Sequence, residues 1–189
     1  MSFYAATKKS MENMAHSYAH LFDLPITIFR FFTVYGPWGR PDMALFKFTK
    51  AILDGDPIDV YNNGDMSRDF TYIDDLVDAM RSLINTIPTN SITTDVTRGV
   101  IDSKSPVAPY RVVNIGNSNP AKLLAFIEAI EESVGIKAKM NFMPMQPGDV
   151  PATWADTALL KKITGNIPNT AVKTGVEQFV SWYRDFYEE

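Results

Sequence analysis

Residues 26–32, Ile26-Thr27-Ile28-Phe29-Arg30-Phe31-Phe32, constrain the fold of this chain more than any other stretch. Pro25 introduces the run, and its β-branched and aromatic side chains leave both faces apolar. That pattern suits a buried strand of a parallel sheet. Parallel neighbours need a crossover element between them, so the run points to an α/β architecture. The flanking segments agree. Met11, Met14, Ala15, Tyr18, Leu21 and Phe22 recur at helical spacing and predict a helix over 3–22. Beyond the glycine- and proline-marked turn at 36–41, a helix is expected over 43–53 and a short strand over 58–61, closed by the turn Asn62-Asn63-Gly64-Asp65. Asp74 is a candidate N-cap for a helix running to 87. Residues 88–109 read as a long mobile surface loop. A strand over 111–115 then leads through Asn119-Pro120, a cap followed by proline at the first helical position, into a helix to 134 that Gly135 stops. A strand over 139–143 and helices over 157–163 and 175–187 complete the series, the last with a Thr174/Glu177 capping box. Alternating strands and helices define an α/β fold class.

Composition narrows the function. The chain has 189 residues, 46% hydrophobic and 21% charged, enough to bury a real core. A net charge of −4 without a polybasic block argues against nucleic acid or an anionic membrane as partner. No apolar run approaches the ~20 residues that span a bilayer, and no signal peptide pattern opens the chain, so the expectation is a cytoplasmic protein. There is no cysteine, hence no disulfide and no thiolate metal site. The two histidines, His16 and His20, are too few for a histidine zinc cage and are expected at the surface or the edge of the core. No metal is expected. Trp154, Trp182 and Phe179 are expected in the core.

Candidate chemistry begins at Tyr4 and Lys8, which lie at i and i+4 and so share a helix face. An ammonium near a phenol favours its ionised form, which makes tyrosine usable for proton transfer near neutral pH. The spacing alone is weak evidence. It gains weight from strings further along: Arg30-Phe31-Phe32-Thr33-Val34-Tyr35-Gly36-Pro37-Trp38-Gly39-Arg40-Pro41-Asp42-Met43, Gly64-Asp65-Met66-Ser67-Arg68-Asp69-Phe70-Thr71-Tyr72-Ile73-Asp74-Asp75, Val112-Val113-Asn114-Ile115-Gly116-Asn117 and Pro147-Gly148-Asp149-Val150. With Tyr4 and Lys8 they resemble the extended short-chain dehydrogenase/reductase family of nucleotide-sugar enzymes, nearest the UDP-glucuronate 4-epimerase branch. The resemblance runs from residue 3 to residue 187.

The resemblance implies the C-terminal part of such an enzyme: an incomplete Rossmann sheet plus a small α/β substrate-binding domain. Residues 1–35 would be the remnant of the dinucleotide-binding domain and 36–189 mainly the UDP-sugar-binding region, with 66–88 and 110–135 packing back on the Rossmann part. No strand followed by Gly-x-x-Gly-x-x-Gly occurs in the chain. That fingerprint, which sets a helix N-terminus against a cofactor pyrophosphate, would lie upstream, together with a serine/threonine segment that contacts substrate. The implied cofactor is NAD and the implied substrate a UDP-sugar. Tyr4 matches the base that removes the C4 hydroxyl proton, and Lys8 the residue that binds the nicotinamide ribose and lowers the tyrosine pKa. Phe31 and Val34 would lie beside the nicotinamide at the carboxyl end of a strand, where open α/β sheets bind ligands. Thr33 and Arg40 would sit near the sugar carboxylate, Arg68 at the diphosphate, Tyr61 stacked on uracil, and Gln146 and Asp149 near phosphate and ribose. Gln146 departs from relatives acting on UDP-galactose, which often carry arginine about there. For each arginine a structural ion pair is the alternative, for instance Arg68 with Asp69 or Asp74. The implied reaction is conversion of UDP-glucuronate to UDP-galacturonate through a 4-keto intermediate, the chain alone being inactive. A non-catalytic UDP-sugar-binding or self-associating chain, or a sugar-nucleotide 4,6-dehydratase, stand as alternatives. A homo-oligomer is expected, because the first helix and the edge of the 26–32 strand would expose apolar surface.

Overall fold

A computed structural model of the protein describes residues 2–90, 100, 102–146 and 148–188. Helix α1 (Phe3–Phe22) begins where the Ser2 hydroxyl accepts the Ala5 amide at 3.2 Å and ends at Asp23 in the left-handed region, φ 51°. The chain then enters β1 (Ile26–Phe31), breaks at Phe32 and continues as β2 (Thr33–Tyr35). That break is where the strand changes partner. β1 runs parallel to β6 (Tyr110–Ile115), with Phe31 opposite Ile115, while β2 runs parallel to β5 (Phe70–Tyr72), with Thr33 opposite Phe70. Helix α2 (Ala44–Asp54) leads to β3 (Pro57–Val60), a 3₁₀ turn at Tyr61–Gly64 and β4 (Ser67–Arg68). Helix α3 (Ile73–Ile84) follows β5; β7 (Ala121–Lys122) and α4 (Leu123–Val134) follow β6; β8 (Lys139–Phe142), α5 (Ala158–Thr164) and α6 (Val172–Tyr187) close the order. β3 pairs parallel with β8, and β4 pairs antiparallel with β7.

The largest core is aromatic. Tyr35, Phe46, Phe70, Phe126 and Phe179 are all buried in it, drawing β2, β5, α2, α4 and α6 together. Phe70 and Phe126 stack with centroids 4.1 Å apart. A second cluster packs Leu76 and Leu83 of α3 and Leu160 of α5 on Val113 and Ile115 of β6. A third, smaller one sets Ala19 of α1 against Ala108 and Tyr110.

Several expectations from local pattern are overturned, each by a longer-range contact. β1 was expected to be buried on both faces; it is half-buried, and Arg30 and Phe31 at its end are exposed. Helix α3 is capped by Tyr72 without a side-chain bond, not by Asp74, and it ends at Ile84, leaving Ile87 exposed. The next acid, Asp75, instead receives the Asn169 and Thr170 amides and the Thr170 hydroxyl at 2.8–3.0 Å, tying α3 to the segment before α6. Asn119-Pro120 does not open α4, because Ala121 and Lys122 are taken up as β7 by β4. Helix α6 starts at Val172 with no side-chain cap bond, so Thr174 and Glu177 fall inside it and no capping box forms. Trp154 is exposed rather than in the core, whereas Phe179 is buried. Residues 91–99 and 101 of the expected mobile loop lie outside the described residues. Its last part is docked: Ser105 and Ala108 are buried, and the Ser105 amide donates to the Tyr110 carbonyl at 2.8 Å.

Candidate active site

Tyr4 and Lys8 occupy the first two turns of α1, both exposed, with Lys8 Nζ 5.2 Å from the centroid of the Tyr4 ring. That is cation–π range. The helix is fixed to the sheet by Glu12, one turn beyond Lys8. The Arg30 guanidinium of β1 grips its carboxylate with two bonds, Nε to Oε1 at 2.6 Å and Nη2 to Oε2 at 2.7 Å, and Lys9 Nζ adds a third at 2.8 Å. Arg30 above all, with Lys9 assisting, holds the Glu12 carboxyl down at about 2 against the opposing effect of burial. The Tyr110 hydroxyl donates to the Glu12 carbonyl at 3.1 Å. Further along, His16 shares a 2.8 Å hydrogen bond with the Ser105 hydroxyl, and His20 Nδ1 lies 2.7 Å from the Val107 carbonyl oxygen. Both histidines thus anchor α1 at the edge of the core. Among the described residues, no group of three or more His, Cys, Asp or Glu could hold a metal ion.

The carboxyl ends of β1 and β2 lead to the second group. Phe31 is 47% exposed and stacks on Phe29, centroids 6.0 Å apart. Thr33 and Val34 line a small pocket of about 40 Å³ together with Gly39, Arg40 and Met43. The loop that brings Arg40 there turns at Gly36, whose φ of 138° and whose close approach to Ile73 leave no room for a β-carbon. The Gly39 amide donates to the Gly36 carbonyl at 3.1 Å. Arg40 is exposed and faces Asp42 as a fork, Nε to Oδ1 at 3.0 Å and Nη2 to Oδ2 at 2.5 Å. Asp42 holds the Arg40 guanidinium charged above its ordinary range, and the Tyr4 phenol is near enough to add a smaller effect in the same direction. Thr33 and Arg40 thus share one pocket lining, at the end of β2 and in the loop beyond it.

Arg68 belongs to a different cluster. Its guanidinium donates to Asp149 Oδ1 at 2.7 Å and to the Ser67 and Pro151 carbonyls at 3.0 and 3.3 Å. Its ion-pair partner is thus Asp149, not Asp69 or Asp74. The Asp149 amide donates to the Gln146 carbonyl at 3.2 Å, so Gln146 is brought to the same loop. Tyr61 opens the 3₁₀ turn, which is held at the end of β8 by the Asn63 amide on the Met143 carbonyl, 3.1 Å. The chain from Met143 to Asp149 therefore runs from the turn bearing Tyr61 to Arg68.

Asp69 joins the two clusters, and no local pattern singled it out. Its carbonyl accepts the Thr33 amide at 3.0 Å, and its fully buried carboxylate accepts the amides of Asn117, Ser118 and Ala155 at 2.8–3.0 Å. Four segments meet on this residue, at the point where the strand changes partner. Gly116 belongs to the knot, since a β-carbon there would run into the Ala155 side chain. Chemically, the site offers two arginine forks, each held by its own carboxylate, and a phenol–ammonium pair at the start of α1. Planar forks suit carboxylate and phosphate oxygens.

The arrangement is an α/β fold with a Tyr-x-x-x-Lys helix laid against a parallel strand pair, one guanidinium in the loop beyond the carboxyl end of β2 and another in β4. The sequence profile of the NAD dependent epimerase/dehydratase family matches residues 1–94. The chain is 54% identical over 187 residues to a probable UDP-glucuronate 4-epimerase of Rhizobium meliloti, covering 99% of this chain and 54% of that protein. It is 44% identical to UDP-glucuronate 4-epimerase 1 of Arabidopsis thaliana, covering 98% of this chain and 43% of that one. The crystal structure of UDP-glucuronic acid 4-epimerase from Bacillus cereus, in complex with UDP-glucuronic acid and NAD, superposes with a TM-score of 0.80 at 32% identity, covering 97% of this chain and 53% of its own. Residues 1–94 carry the match to the NAD dependent epimerase/dehydratase family, and the likeness to these relatives runs over 97–99% of the chain. The chain spans about half the length of the relatives it matches. No helix among the described residues is long and apolar enough to cross a membrane.

Proposed function

We propose that this chain supplies the proton-transfer and sugar-nucleotide-binding residues of an NAD-dependent UDP-sugar 4-epimerase acting on UDP-glucuronate. The observation that carries the reading is Arg40, an exposed planar cation lining the same pocket as Thr33 beyond the end of β2, with the Tyr4–Lys8 pair exposed at the start of α1. An acidic sugar placed with its carboxylate on Arg40 and Thr33 would bring its ring hydroxyls toward the phenol. Tyr4 then takes the proton from the C4 hydroxyl and later returns it, with Lys8 beside it. Arg68 receives the diphosphate, its present partner Asp149 turning with Gln146 toward the ribose, and Tyr61 offers its ring to the uracil. Residues 1–35 serve the cofactor side and 36–189 mainly the sugar nucleotide, 66–88 and 110–135 packing back on the former.

The residues present fit the nicotinamide end of NAD. Tyr4, Lys8 and Phe31 are exposed at a helix start and a strand end, and Val34 is half-buried one residue after Thr33. These side chains would hold the nicotinamide and its ribose. When bound, NAD supplies reversible hydride acceptance at the sugar carbon. This sequence contains no glycine-rich turn for the pyrophosphate, so the chain by itself binds substrate without turnover.

Calorimetric titration of the chain with UDP-glucuronate, UDP-glucose and NAD, each separately, tests the reading. UDP-glucuronate binds without NAD and more tightly than UDP-glucose, and Arg40→Ala removes the difference. Silence with all three ligands overturns it. A self-associated state is part of the proposal, because Met11, Met14, Tyr18, Leu21 and Phe22 line α1 as exposed apolar side chains. A monomeric mass by light scattering at high concentration refutes that part alone.

A further inference from the structure

The backbone that presents Arg40 is strained two residues earlier. Trp38 has a φ of +63°, in the left-handed region that a bulky side chain disfavours. A non-glycine residue stays there only where its surroundings impose the conformation, and the surroundings are helix α6. The Trp38 ring meets Trp182 at a centroid distance of 5.3 Å and Phe186 edge-on at 5.1 Å. Trp182 in turn stacks on Phe186 at 5.5 Å and tilts against Phe179 at 5.4 Å, so these rings form a ladder along one face of α6. Gly39 lies over the same ladder, with the Phe179 ring 3.9 Å from where its β-carbon would be. The other restraints on the loop are short turns, Gly39 to Gly36 and the Met43 amide to the Arg40 carbonyl, each at 3.1 Å.

Trp38 is nevertheless 73% exposed, and Phe186 is 51% exposed. A ring placed purely to fill the core would not leave most of its surface in water. The Arg40 fork is meanwhile closed by its own two bonds to Asp42. What the ring does is hold a strained turn, and Arg40 leaves that turn.

We infer that Trp38, seated on the α6 aromatic ladder, is a positioning residue that holds the Arg40 loop in the form that receives a ligand carboxylate, so that helix α6 governs selectivity for acidic over neutral sugar nucleotides. The inference rests on the carboxylate-binding reading of Arg40 given above. A neutral sugar nucleotide, gripped at Arg68 in the other cluster, does not depend on the clamp.

The test uses the chain with Trp38→Ala and Trp38→Phe. Without ligand, the side-chain Nε–Hε resonance of Arg40, assigned by its loss in Arg40→Lys, reports the pairing with Asp42. In Trp38→Ala it moves toward the position of a free arginine and exchanges faster with water, and in Trp38→Phe it stays near that of the parent. With ligand, Trp38→Ala weakens UDP-glucuronate by about tenfold, the scale of a charge-assisted bond pair, and leaves UDP-glucose within about twofold; Trp38→Phe restores the preference. An unmoved Arg40 resonance in Trp38→Ala, or equal weakening of both ligands, overturns the inference. If the parent chain binds neither ligand, the carboxylate reading fails, and the Arg40 resonance still decides whether the ladder holds the loop.

Discussion

Replacing Glu12 by glutamine loosens helix α1 from the sheet with a change of one atom type. Its carboxyl is lowered from 4.5 to about 2, chiefly by the two hydrogen bonds from Arg30. At 1.36 kcal/mol per unit, that shift corresponds to about 3 kcal/mol of stability at neutral pH. Glu12 itself is only 9% exposed, but the Arg30 side chain is 48% exposed and its charge is partly screened, so about 2 kcal/mol is the working figure. For a chain of this size that lowers the melting temperature by about 5 °C. The pH dependence follows from the sign of the shift: a depressed carboxyl stabilises the fold above its unfolded value near 4.5, and the stabilisation drains away as pH falls toward 2. Urea unfolding of the parent and Glu12→Gln at pH 7, 4 and 3 reads this directly. The difference between the two proteins is full at pH 7 and less than half of that at pH 3. A loss below about 0.5 kcal/mol at pH 7, or a difference unchanged between pH 7 and pH 3, refutes the assignment of the shift to the Arg30–Glu12 pair.

Asp69→Asn keeps the shape of the knot but presents an amide N–H to backbone donors, so it costs about 2–4 kcal/mol in urea unfolding; a loss within 0.5 kcal/mol contradicts the three-amide geometry. Gly175 has its β-position filled by the Tyr35 ring and hydroxyl, so Gly175→Ala costs about 1–3 kcal/mol by overpacking. Tyr35→Phe removes a buried hydroxyl that has no partner among the described residues, so alone it is neutral or stabilising, and it recovers part of the Gly175→Ala loss; strictly additive effects in the double variant rule out the contact. Arg68→Ala weakens UDP-glucuronate and UDP-glucose alike, by about tenfold or more for a lost charge-assisted phosphate contact, in calorimetric titration; a selective loss of one ligand contradicts its placement away from the sugar carboxylate.

Helix α1 was readable end to end because its apolar residues recur at helical spacing up to Phe22; the Ser2 cap and the left-handed Asp23 that bound it are local too, but only the structure shows them. Gly135, a local stop to α4, was readable as well. The other end of α4 was not readable, since Ala121 and Lys122 become a strand only when β4 lies beside them. Thr174 and Glu177 form a plausible capping box, yet α6 already starts at Val172, and its packing on α4 rather than a cap bond accompanies that start. In the candidate site, the phenol, the ammonium and both guanidiniums could be picked out by type and by resemblance. Their restraints could not. Arg68 finds Asp149 81 residues further on, Asp69 gathers amides from Thr33, from Asn117 and Ser118, and from Ala155, and Trp38 is an exposed aromatic in a loop until α6 is seen beneath it.

The parallel pairing of Ile26 with Tyr110 also sets a timetable for synthesis. A ribosome adding roughly 5–20 residues per second completes β1 on the order of ten seconds before β6 exists. During that interval α1 can coil, but neither β6 nor the Tyr110 hydroxyl on the Glu12 carbonyl is there to hold it. The contacts that fix α1 to the sheet through β6 and Tyr110 are therefore among the last of its restraints to form, and the Glu12–Arg30 pair, whose members lie 18 residues apart, is the one available earliest.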